Sequence, residues 1–386
     1  MSLLPSQPLP SWRRAVLKVG SNLLAADGGG LTQRFAEALA DFVAASHAEG
    51  RQVVLVSSGA VAAGRALLHA RQTIGRDLAA RQALAALGQA PMIALWQSLS
   101  PRPVAQVLLT HDDLRNRRRY LNARATLHGL LALDVLPVVN ENDTVAVDEL
   151  KLGDNDNLAA IVAALIDADL LLIASDVAAL YDADPRREPA AAPIARVEAV
   201  TPTIMAMAGG SGSTVGTGGM RTKLEAADKA AAAGIATVLF DGRDIDTVRA
   251  LTQNLLHGTL VCAPAGRMQA RKYWLRHAPP AGGRIRIDPG AARAVAGGRA
   301  SLLPGGIVAA DGEFQRGDLV EIVDMTDRAI ARGLSQYAVS EVRRLIGRHS
   351  RDIEAVLGYC HGAEVVHRDD LATLPDVSAI DGAAPA

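Results

Sequence analysis

Six short apolar segments, each followed by a stretch with helical spacing or by a turn, restrict the fold more than any other feature of this sequence. The segments are RAVLKVG (14–20), RQVVLVSSGA (51–60), PVAQVLLT (103–110), DVLPVVNEND (134–143), DLLLIASD (169–176) and ATVLFDG (236–242). The stretches with helical spacing are 31–49, 78–98, 119–133, 156–166 and 221–233. Apolar strands that alternate with helices predict an α/β fold with a mainly parallel sheet covered on both faces.

Polar clusters follow several of these predicted strands directly. They are KVGSN, SSGA, NENDT and SDVAALYDADP. In a parallel sheet the carboxyl ends of the strands meet at one edge, and ligands bind in the crevice outside that edge. The recurrence of polar clusters at these positions therefore predicts a binding site there.

The chain has 386 residues, which is enough for two domains, and its character changes near residue 260. Beyond that point, short β-like segments alternate with Gly, Pro and Asp. We predict a first domain over 13–262 and a small, β-rich second domain over 277–371. Aromatic residues make up only 3% of the chain, so the cores must consist mainly of Ala, Val, Leu and Ile.

Charge and cysteine content exclude several classes of protein. The formal net charge of −1 gives no overall attraction to nucleic acid or to anionic membranes. Cys262 and Cys360 lie far apart and lack zinc-ligand spacing, so we expect a reducing compartment. No signal peptide and no apolar run of about 18 residues is apparent. The sequence therefore predicts a cytoplasmic protein without a membrane span.

Two motifs suggest phosphate binding. Lys18 ends a buried strand beside a glycine, where its ammonium group can lie over a phosphate; the alternative is a lysine that snorkels at a strand edge. The glycine-rich stretch 210–219 leads into a helix with Lys223 in its first turn, an arrangement that suits nucleotide phosphates. It lacks the Walker A order, and a flexible linker is its alternative.

Other clusters also have ordinary structural explanations. SSGA can cap a helix, NENDT and DADP can form turns, and the basic stretch 115–124 is better explained as a solvated or interface helix face than as an RNA patch. GDNDN (153–157) lacks the EF-hand pattern, and one of its residues can cap the helix that follows. Because capping needs one such residue and four are present, metal or substrate binding stays open for the rest.

In order along the chain, KVGSN, VSSGAVAAG, LNARATL, NENDTVA, KLGDNDNLAA and GTGGMRTKLEAA closely resemble the glutamate-phosphorylating branch of the amino acid kinase family. The stretch GRIRIDPGAARAVAGGRASLLPGGIVAADGEFQRGDLVEI resembles a PUA domain. The resemblance covers about residues 13 to 371. It implies a three-layer sandwich around the sheet, with the PUA domain as a C-terminal addition.

The resemblance also implies an activity, namely transfer of the ATP γ-phosphoryl group to the side-chain carboxylate of L-glutamate, as the first step of proline synthesis. Phosphoryl transfer needs positioning and charge neutralisation more than covalent help. The acceptor carboxylate, whose pKa in water is ~4.3, is ionised at pH 7, so no general base is needed. ATP with Mg²⁺, feedback inhibition by proline and a dimeric or tetrameric assembly are further expectations from the family.

The family's site residues carry over to matching positions of this sequence. The catalytic residues implied are Lys18, Lys223 and Asp156, with the aspartate orienting both ammonium groups. The glutamate-binding residues implied are Ser58, Gly59, Ala60, Asp143, Asp154 and Asn155. The nucleotide-binding residues implied are Lys18, Ser175, Asp176, Thr217, Gly218, Gly219, Met220, Arg221, Thr222 and Lys223. No side chain is assigned to a metal.

Two rival functions stay open at this point. A sibling kinase for N-acetylglutamate, aspartate, carbamate or a nucleoside monophosphate shares the fold, although NENDT, GDNDN and the PUA domain together argue against it. An RNA-binding or RNA-modifying protein acting through the PUA domain is the other. Residues 276–371 contain 13 Arg, no Lys and 13 Asp plus Glu, and this balance gives RNA binding no support.

Overall fold

A computed structural model of the chain describes residues 4–26, 30–68, 75, 77–110, 113–114, 117–146, 155–185, 187–188, 190–208, 219–263, 282–297 and 300–374. The chain divides into two compact units, 1–264 and 265–386. The domain bounds 13–262 and 277–371 stay predictions.

The described residues of the first unit form both strands and helices. The strands are β1 (Gln7–Pro8), β2 (Arg14–Val19), β3 (Gln52–Ser57), β4 (Val104–Leu109), β5 (Leu136–Glu141), β6 (Leu170–Ser175), β7 (Leu180–Tyr181), β8 (Pro193–Ile194), β9 (Arg196–Val197), β10 (Ala236–Asp241), β11 (Leu255–Leu256) and β12 (Thr259–Val261). The helices are α1 (Ser21–Leu24), α2 (Ala36–Ala48), α3 (Ala60–Leu67), α4 (Leu78–Leu99), α5 (Arg117–Ala132), α6 (Asn155–Leu165), α7 (Pro202–Met207), α8 (Met220–Ala232) and α9 (Ile245–Thr252).

Eight strands form the central sheet, in the order β4-β5-β3-β2-β6-β10-β12-β9. The six that were predicted from the sequence run parallel, and β12 pairs antiparallel with β10. The prediction of a mainly parallel central sheet is therefore confirmed. The carboxyl ends of β2, β3, β5, β6 and β10 share one edge, as parallel pairing requires.

Each face of the sheet carries its own apolar core, which gives three layers. One core includes Phe42 of α2, Trp96 of α4 and Val248 of α9. The opposite core includes Leu158 of α6 and Ala226 of α8. The fold is therefore the predicted three-layer α/β sandwich.

The alternation of side chains along β2 decides where its lysine lies. Leu17 and Val19 belong to the core on the α2 face, and Val16 belongs to the core beneath α6 and α8. Successive strand residues point to opposite faces, so Lys18 lies on the same face as Val16. That face is the one that α6 and α8 cover.

The second unit contains a five-stranded sheet and short helices around a separate core. Its strands are β13 (Gly283–Ile287), β14 (Ile307–Gly312), β15 (Leu319–Val323), β16 (Ala329–Leu334) and β17 (Leu371–Thr373), and its helices are α10 (Pro289–Ala296), α11 (Val339–Leu345) and α12 (Ile353–Leu357). The sheet order is β14-β13-β15-β16-β17. Ile285, Ile322 and Tyr337 are fully buried in its core, and the predicted β-rich second domain is confirmed.

Within the described part of the chain, no helix has the length and apolar character that a membrane crossing needs.

Candidate active site

A buried carboxylate joins two lysines at the carboxyl edge of the sheet. Lys18 Nζ lies 2.5 Å from Asp156 Oδ1, and Lys223 Nζ lies 3.1 Å from Asp156 Oδ2. Asp156 is 0% exposed, while Lys18 and Lys223 are 5% and 8% exposed. The structure therefore brings together the three residues that the sequence predicts to be catalytic.

Each member of this triad is placed by the end of a secondary-structure element. Lys18 lies near the end of β2, Asp156 lies in the first turn of α6, and Lys223 lies in the first turn of α8. The positive end of a helix dipole favours a carboxylate at Asp156. The same field opposes a lysine at Lys223, so the contact with Asp156 has to offset that cost.

The charge of Asp156 is stabilised by its partners. Burial alone would raise the pKa of this carboxyl, but the charges of Lys18 and Lys223, and their hydrogen bonds, lower the pKa from 3.8 to about 2. Asp156 is therefore ionised at neutral pH and cannot take up a proton there. It acts as a fixed anion between two cations.

Asn155, the residue before Asp156, links two strand ends. Its Nδ2 lies 2.8 Å from Ser58 Oγ, 3.0 Å from Asn140 Oδ1 and 3.3 Å from the Ser57 carbonyl oxygen. The amide donates its two hydrogens among these acceptors. The predicted glutamate-binding residues Ser58 and Asn155 are therefore in direct contact, one helix position away from the triad.

Gly59 and Ala60 form the beginning of α3, directly after Ser58. Gly59 has φ +109°, a left-handed conformation that glycine adopts without strain. The first N–H groups of an α-helix have no acceptor within the helix. The start of α3 therefore presents backbone donors beside Ser58, as an anionic ligand requires.

Asp143 lies in the turn that follows β5. Asn142 N–H donates to the Leu109 carbonyl at 2.9 Å, and Thr144 Oγ1 donates to Asn142 Oδ1 at 2.6 Å. Gln82 of α4 donates to the Ala146 carbonyl at 2.9 Å. The turn is thus fastened at the same sheet edge as Asn140, and Asp143 is half-buried there.

A second polar cluster lies at the end of β6. Asn22 Nδ2 donates to Asp176 Oδ2 at 2.8 Å, and Arg243 donates to the Asp176 carbonyl oxygen. Burial raises the pKa of Asp176, but the hydrogen bond from Asn22, the hydrogen bond from its own backbone N–H, and the charges of Arg243 and Lys223 lower it overall. Ser175, which is buried, contributes a hydroxyl 3.3 Å from Asp176 Oδ1.

The residues at the start of α8 do not all face the triad. The Thr222 hydroxyl lies 3.0 Å from Asp156 Oδ2 and 2.8 Å from the Gly219 carbonyl oxygen. Met220 packs against the core, and Arg221 pairs with Glu225 at 3.0 Å on the solvent side. Asp154, Thr217 and Gly218, which were also predicted to bind ligands, lie outside the described residues.

The described side chains near the triad offer few ligands to a metal ion. Among the described residues, no group of three or more His, Cys, Asp or Glu side chains could hold a metal ion. Mg²⁺ usually keeps several waters and binds through substrate phosphates and one or two carboxylates. Binding of this kind needs no cluster of protein ligands, so the side chains at this edge are compatible with it.

Asn140, Asn22 and Arg243 belong to these clusters and were not assigned by sequence reasoning. Asn140 and Asn22 lie within the NENDT and KVGSN motifs, so their position after a strand was the available signal. Arg243 follows β10 within ATVLFDGR. Its contact with Asp176 depends on β6 and β10 being neighbours, an order that hydrophobic patterning does not specify.

Comparisons with known proteins show the family of this chain. Residues 13–241 match the amino acid kinase family, and residues 283–357 match the PUA domain. A glutamate 5-kinase from Xanthomonas euvesicatoria pv. vesicatoria (strain 85-10) is 66% identical over 93% of this chain and 100% of its own length. A glutamate 5-kinase from Xylella fastidiosa (strain M12) is 64% identical over 97% of this chain and 98% of its own length.

Among solved structures, a carbamate kinase from Giardia lamblia bound to AMP-PNP matches 65% of this chain and 99% of its own, at 17% identity and a TM-score of 0.48. That likeness is weak, and the assignment rests on the sequence matches. The chain belongs to the amino acid kinase family, as a homologue of the glutamate 5-kinases that also carries a PUA domain.

Proposed function

We propose that this chain transfers the γ-phosphoryl group of ATP to the γ-carboxylate of L-glutamate, giving L-glutamate 5-phosphate and ADP as the first step of proline biosynthesis. The observation that carries the proposal is the buried contact of Asp156 with both Lys18 and Lys223. Two anionic reactants must approach each other, and two fixed ammonium groups lower the cost of that approach.

The reaction needs no proton transfer at the nucleophile. The γ-carboxylate of glutamate is ionised at pH 7, so one of its oxygens forms the new bond to the γ-phosphorus. The bond from that phosphorus to the oxygen bridging to ADP breaks at the same time, and ADP leaves with the electron pair. In this proposal Lys18 and Lys223 neutralise charge on the transferred group, and Asp156 holds both ammonium groups in position.

The glutamate-binding site in this proposal lies between the start of α3 and the start of α6. Ser58 and the N–H groups of Gly59 and Ala60 receive a carboxylate of the substrate, and Asn155 holds the loop beside it. Asp143 pairs with the substrate ammonium group, with Asp154 nearby. The support is the contact of Asn155 with Ser58 and the fastening of the Asp143 turn at the same edge.

The nucleotide in this proposal lies on the β6 side of the triad. Ser175 and Asp176 border the nucleotide. Residues 217–223 cover its phosphates; they are Thr217, Gly218, Gly219, Met220, Arg221, Thr222 and Lys223. The support is the position of the α8 N-terminus beside the triad. Mg²⁺ bound to the phosphates would further neutralise their charge.

Further parts of the proposal rest on the family resemblance. They are feedback inhibition by proline, a dimeric or tetrameric assembly, and the domain bounds 13–262 and 277–371. A cytoplasmic location is in keeping with Cys262 and Cys360, which are both free thiols.

Trapping of the acyl phosphate tests the function. The chain is incubated with ATP, Mg²⁺, hydroxylamine and either L-glutamate or N-acetyl-L-glutamate, and hydroxamate is measured. We expect hydroxamate with L-glutamate only. A signal with N-acetylglutamate and none with glutamate would overturn the substrate assignment in favour of a sibling kinase.

A further inference from the structure

We propose that Trp96 and Ser57 are positioning residues that hold the substrate loop Ser58–Gly59–Ala60 in its binding geometry. This inference rests on the proposed function, because it concerns the seat of the amino-acid substrate. Neither residue is among those that the sequence predicts to bind a ligand. Trp96 lies near the end of the long helix α4.

The starting observation is a buried hydrogen bond between the helix layer and the sheet. Trp96 is 1% exposed and Ser57 is 0% exposed. The indole Nε1–H of Trp96 donates to Ser57 Oγ at 2.8 Å. A buried indole N–H usually has a hydrogen-bond acceptor, and here the acceptor is the last residue of β3, directly before the substrate loop.

The same hydroxyl continues the chain of contacts to Ser58. Ser57 Oγ accepts from Trp96, so its own proton is free to be donated, and it is donated to the Ser58 carbonyl oxygen at 3.1 Å. The Ser58 N–H donates to the Val19 carbonyl at 3.2 Å, and Ser58 Oγ accepts from Asn155 at 2.8 Å. All three polar groups of Ser58 therefore have protein partners, and these contacts hold the loop in one geometry.

Helix α4, which carries Trp96, packs closely against helix α3 beside the loop. A Cβ on Gly88 of α4 would overlap the Ala60 carbonyl oxygen, and a Cβ on Gly64 of α3 would overlap the Leu84 carbonyl oxygen. The two helices are therefore in backbone contact. A shift of α4 would therefore displace the start of α3, and the bond from Trp96 to Ser57 ties the same helix to the end of β3.

Preorganisation gives the proposal a specific consequence. A loop that is held in its bound geometry binds its ligand without further ordering cost. Loss of the Trp96–Ser57–Ser58 contacts should therefore weaken glutamate binding. ATP binding, which the proposal places on the β6 side, should not change.

The test uses Trp96→Phe, Ser57→Ala and the double variant, with Trp12→Phe as a matched control. Trp12 is a buried tryptophan of the same core, and its Nε1 has no hydrogen-bond partner in the described part of the chain. For each protein we would measure KM for glutamate, KM for ATP, the melting temperature, and the rise in melting temperature that glutamate alone produces.

We expect KM for glutamate to rise about 3- to 10-fold in all three site variants, on the scale of one lost hydrogen bond, with KM for ATP unchanged. The double variant removes donor and acceptor together, so it should regain melting temperature relative to Ser57→Ala but keep the high KM. Trp12→Phe should bind glutamate normally. Ser57→Ala alone keeps the test valid if Trp96→Phe folds poorly.

Two results would overturn the inference, because they would show that Trp96 and Ser57 contribute only to stability. One is an unchanged KM for glutamate in well-folded Ser57→Ala. The other is a double variant in which KM for glutamate recovers together with the melting temperature. If the unmodified chain shows neither hydroxamate nor a melting-temperature rise with glutamate, the proposed function fails and the inference fails with it. The two failures are therefore distinguishable.

Discussion

Asp156 is a fully buried carboxylate in contact with two ammonium groups, and its charge therefore determines how both lysines are placed. A single buried charge would be costly, and so would two unneutralised lysines. The three side chains stabilise each other as a set with a net positive charge. That net charge is what an incoming anion would find at the sheet edge.

At the residue scale, we expect Lys18→Met and Lys223→Met each to lower kcat by about 10²- to 10³-fold, the scale of losing one donor to the transition state. Lys229→Met is the matched control, because Lys229 lies on the same helix but donates to Asn157 at 2.7 Å. Steady-state kinetics of the three variants would check this. Near wild-type kcat in both site variants would contradict the role of the triad.

The lowered pKa of Asp156 makes a prediction for acid unfolding. The pKa of this carboxyl is about 2 in the folded chain, against an ordinary aspartate value of 3.8. Its contribution to stability is therefore fully present above about pH 4 and is lost as the pH falls to about 2. The linked free energy is about 2 kcal/mol. Urea unfolding would measure the difference in unfolding free energy between the unmodified chain and Asp156→Asn. This difference should shrink by about 2 kcal/mol between about pH 4 and pH 2. A difference that stays constant over this pH range would contradict the lowered pKa.

Substrate recognition gives a separate prediction for Asp143. If Asp143 pairs with the ammonium group of glutamate, Asp143→Ala should raise KM for glutamate and change kcat little, since the contact is made equally in the ground state and the transition state. Steady-state kinetics with varied glutamate would measure both parameters. An unchanged KM would contradict the assignment.

The positions of residues were predictable where a motif fixes the local structure. The contact between Asp156 and Lys18 could be predicted only through the family resemblance. The strand pattern tells on which face of the sheet Lys18 lies, but it does not tell which helix covers that face. Trp96 could not be predicted, since a tryptophan in an apolar helix is indistinguishable from core. Its contact with Ser57 joins residues 39 positions apart in the chain.

At the scale of elements, the contact between α3 and α4 carries a prediction. Gly88→Ala should destabilise the fold by about 2 kcal/mol, because the new methyl group overlaps the Ala60 carbonyl. Gly129→Ala is the control, since among the described residues no atom beyond its chain neighbours and its own helix backbone lies within 4 Å of a Cβ at this position, and it should stabilise by about 0.5–1 kcal/mol. Urea unfolding of both variants measures this, and equal effects would contradict the close packing.

Element positions followed from the sequence where periodicity is strong. The predicted stretches 156–166 and 221–233 are helices one residue earlier at each end. The strand predicted to start at 134 starts at Leu136, because Asp134 adopts φ +60° in the turn after α5. The short strands β7 to β9 have two residues each, too few for any period to be visible.

At the scale of the whole molecule, the sequence predicts the division into two units but not the order of the strands in the central sheet. The change in composition near residue 260 predicted a second unit, and the chain divides at 264. The order of the eight strands was not predictable from patterning, because every central strand is apolar and several orders bury them equally well. The family resemblance supplied the sandwich, and the structure supplied the order.

The balance of charges in the PUA domain predicts that the domain does not bind RNA tightly. With 13 Arg against 13 Asp plus Glu over 276–371, we expect no shift of tRNA by the full chain in a gel assay at near-physiological salt, about 0.15 M. Tight binding that weakens steeply with added salt would contradict this expectation. It would point to a local basic patch that the overall balance conceals.

The central claim is direct phosphoryl transfer to the glutamate carboxylate, and oxygen transfer tests it most directly. L-Glutamate labelled with ¹⁸O in the γ-carboxylate is incubated with ATP, Mg²⁺, hydroxylamine and the chain, and the released phosphate is examined by ³¹P NMR. Hydroxylamine attacks the acyl carbon and expels phosphate with the bridging oxygen. We predict one ¹⁸O in each phosphate released in step with hydroxamate; unlabelled phosphate would contradict the account.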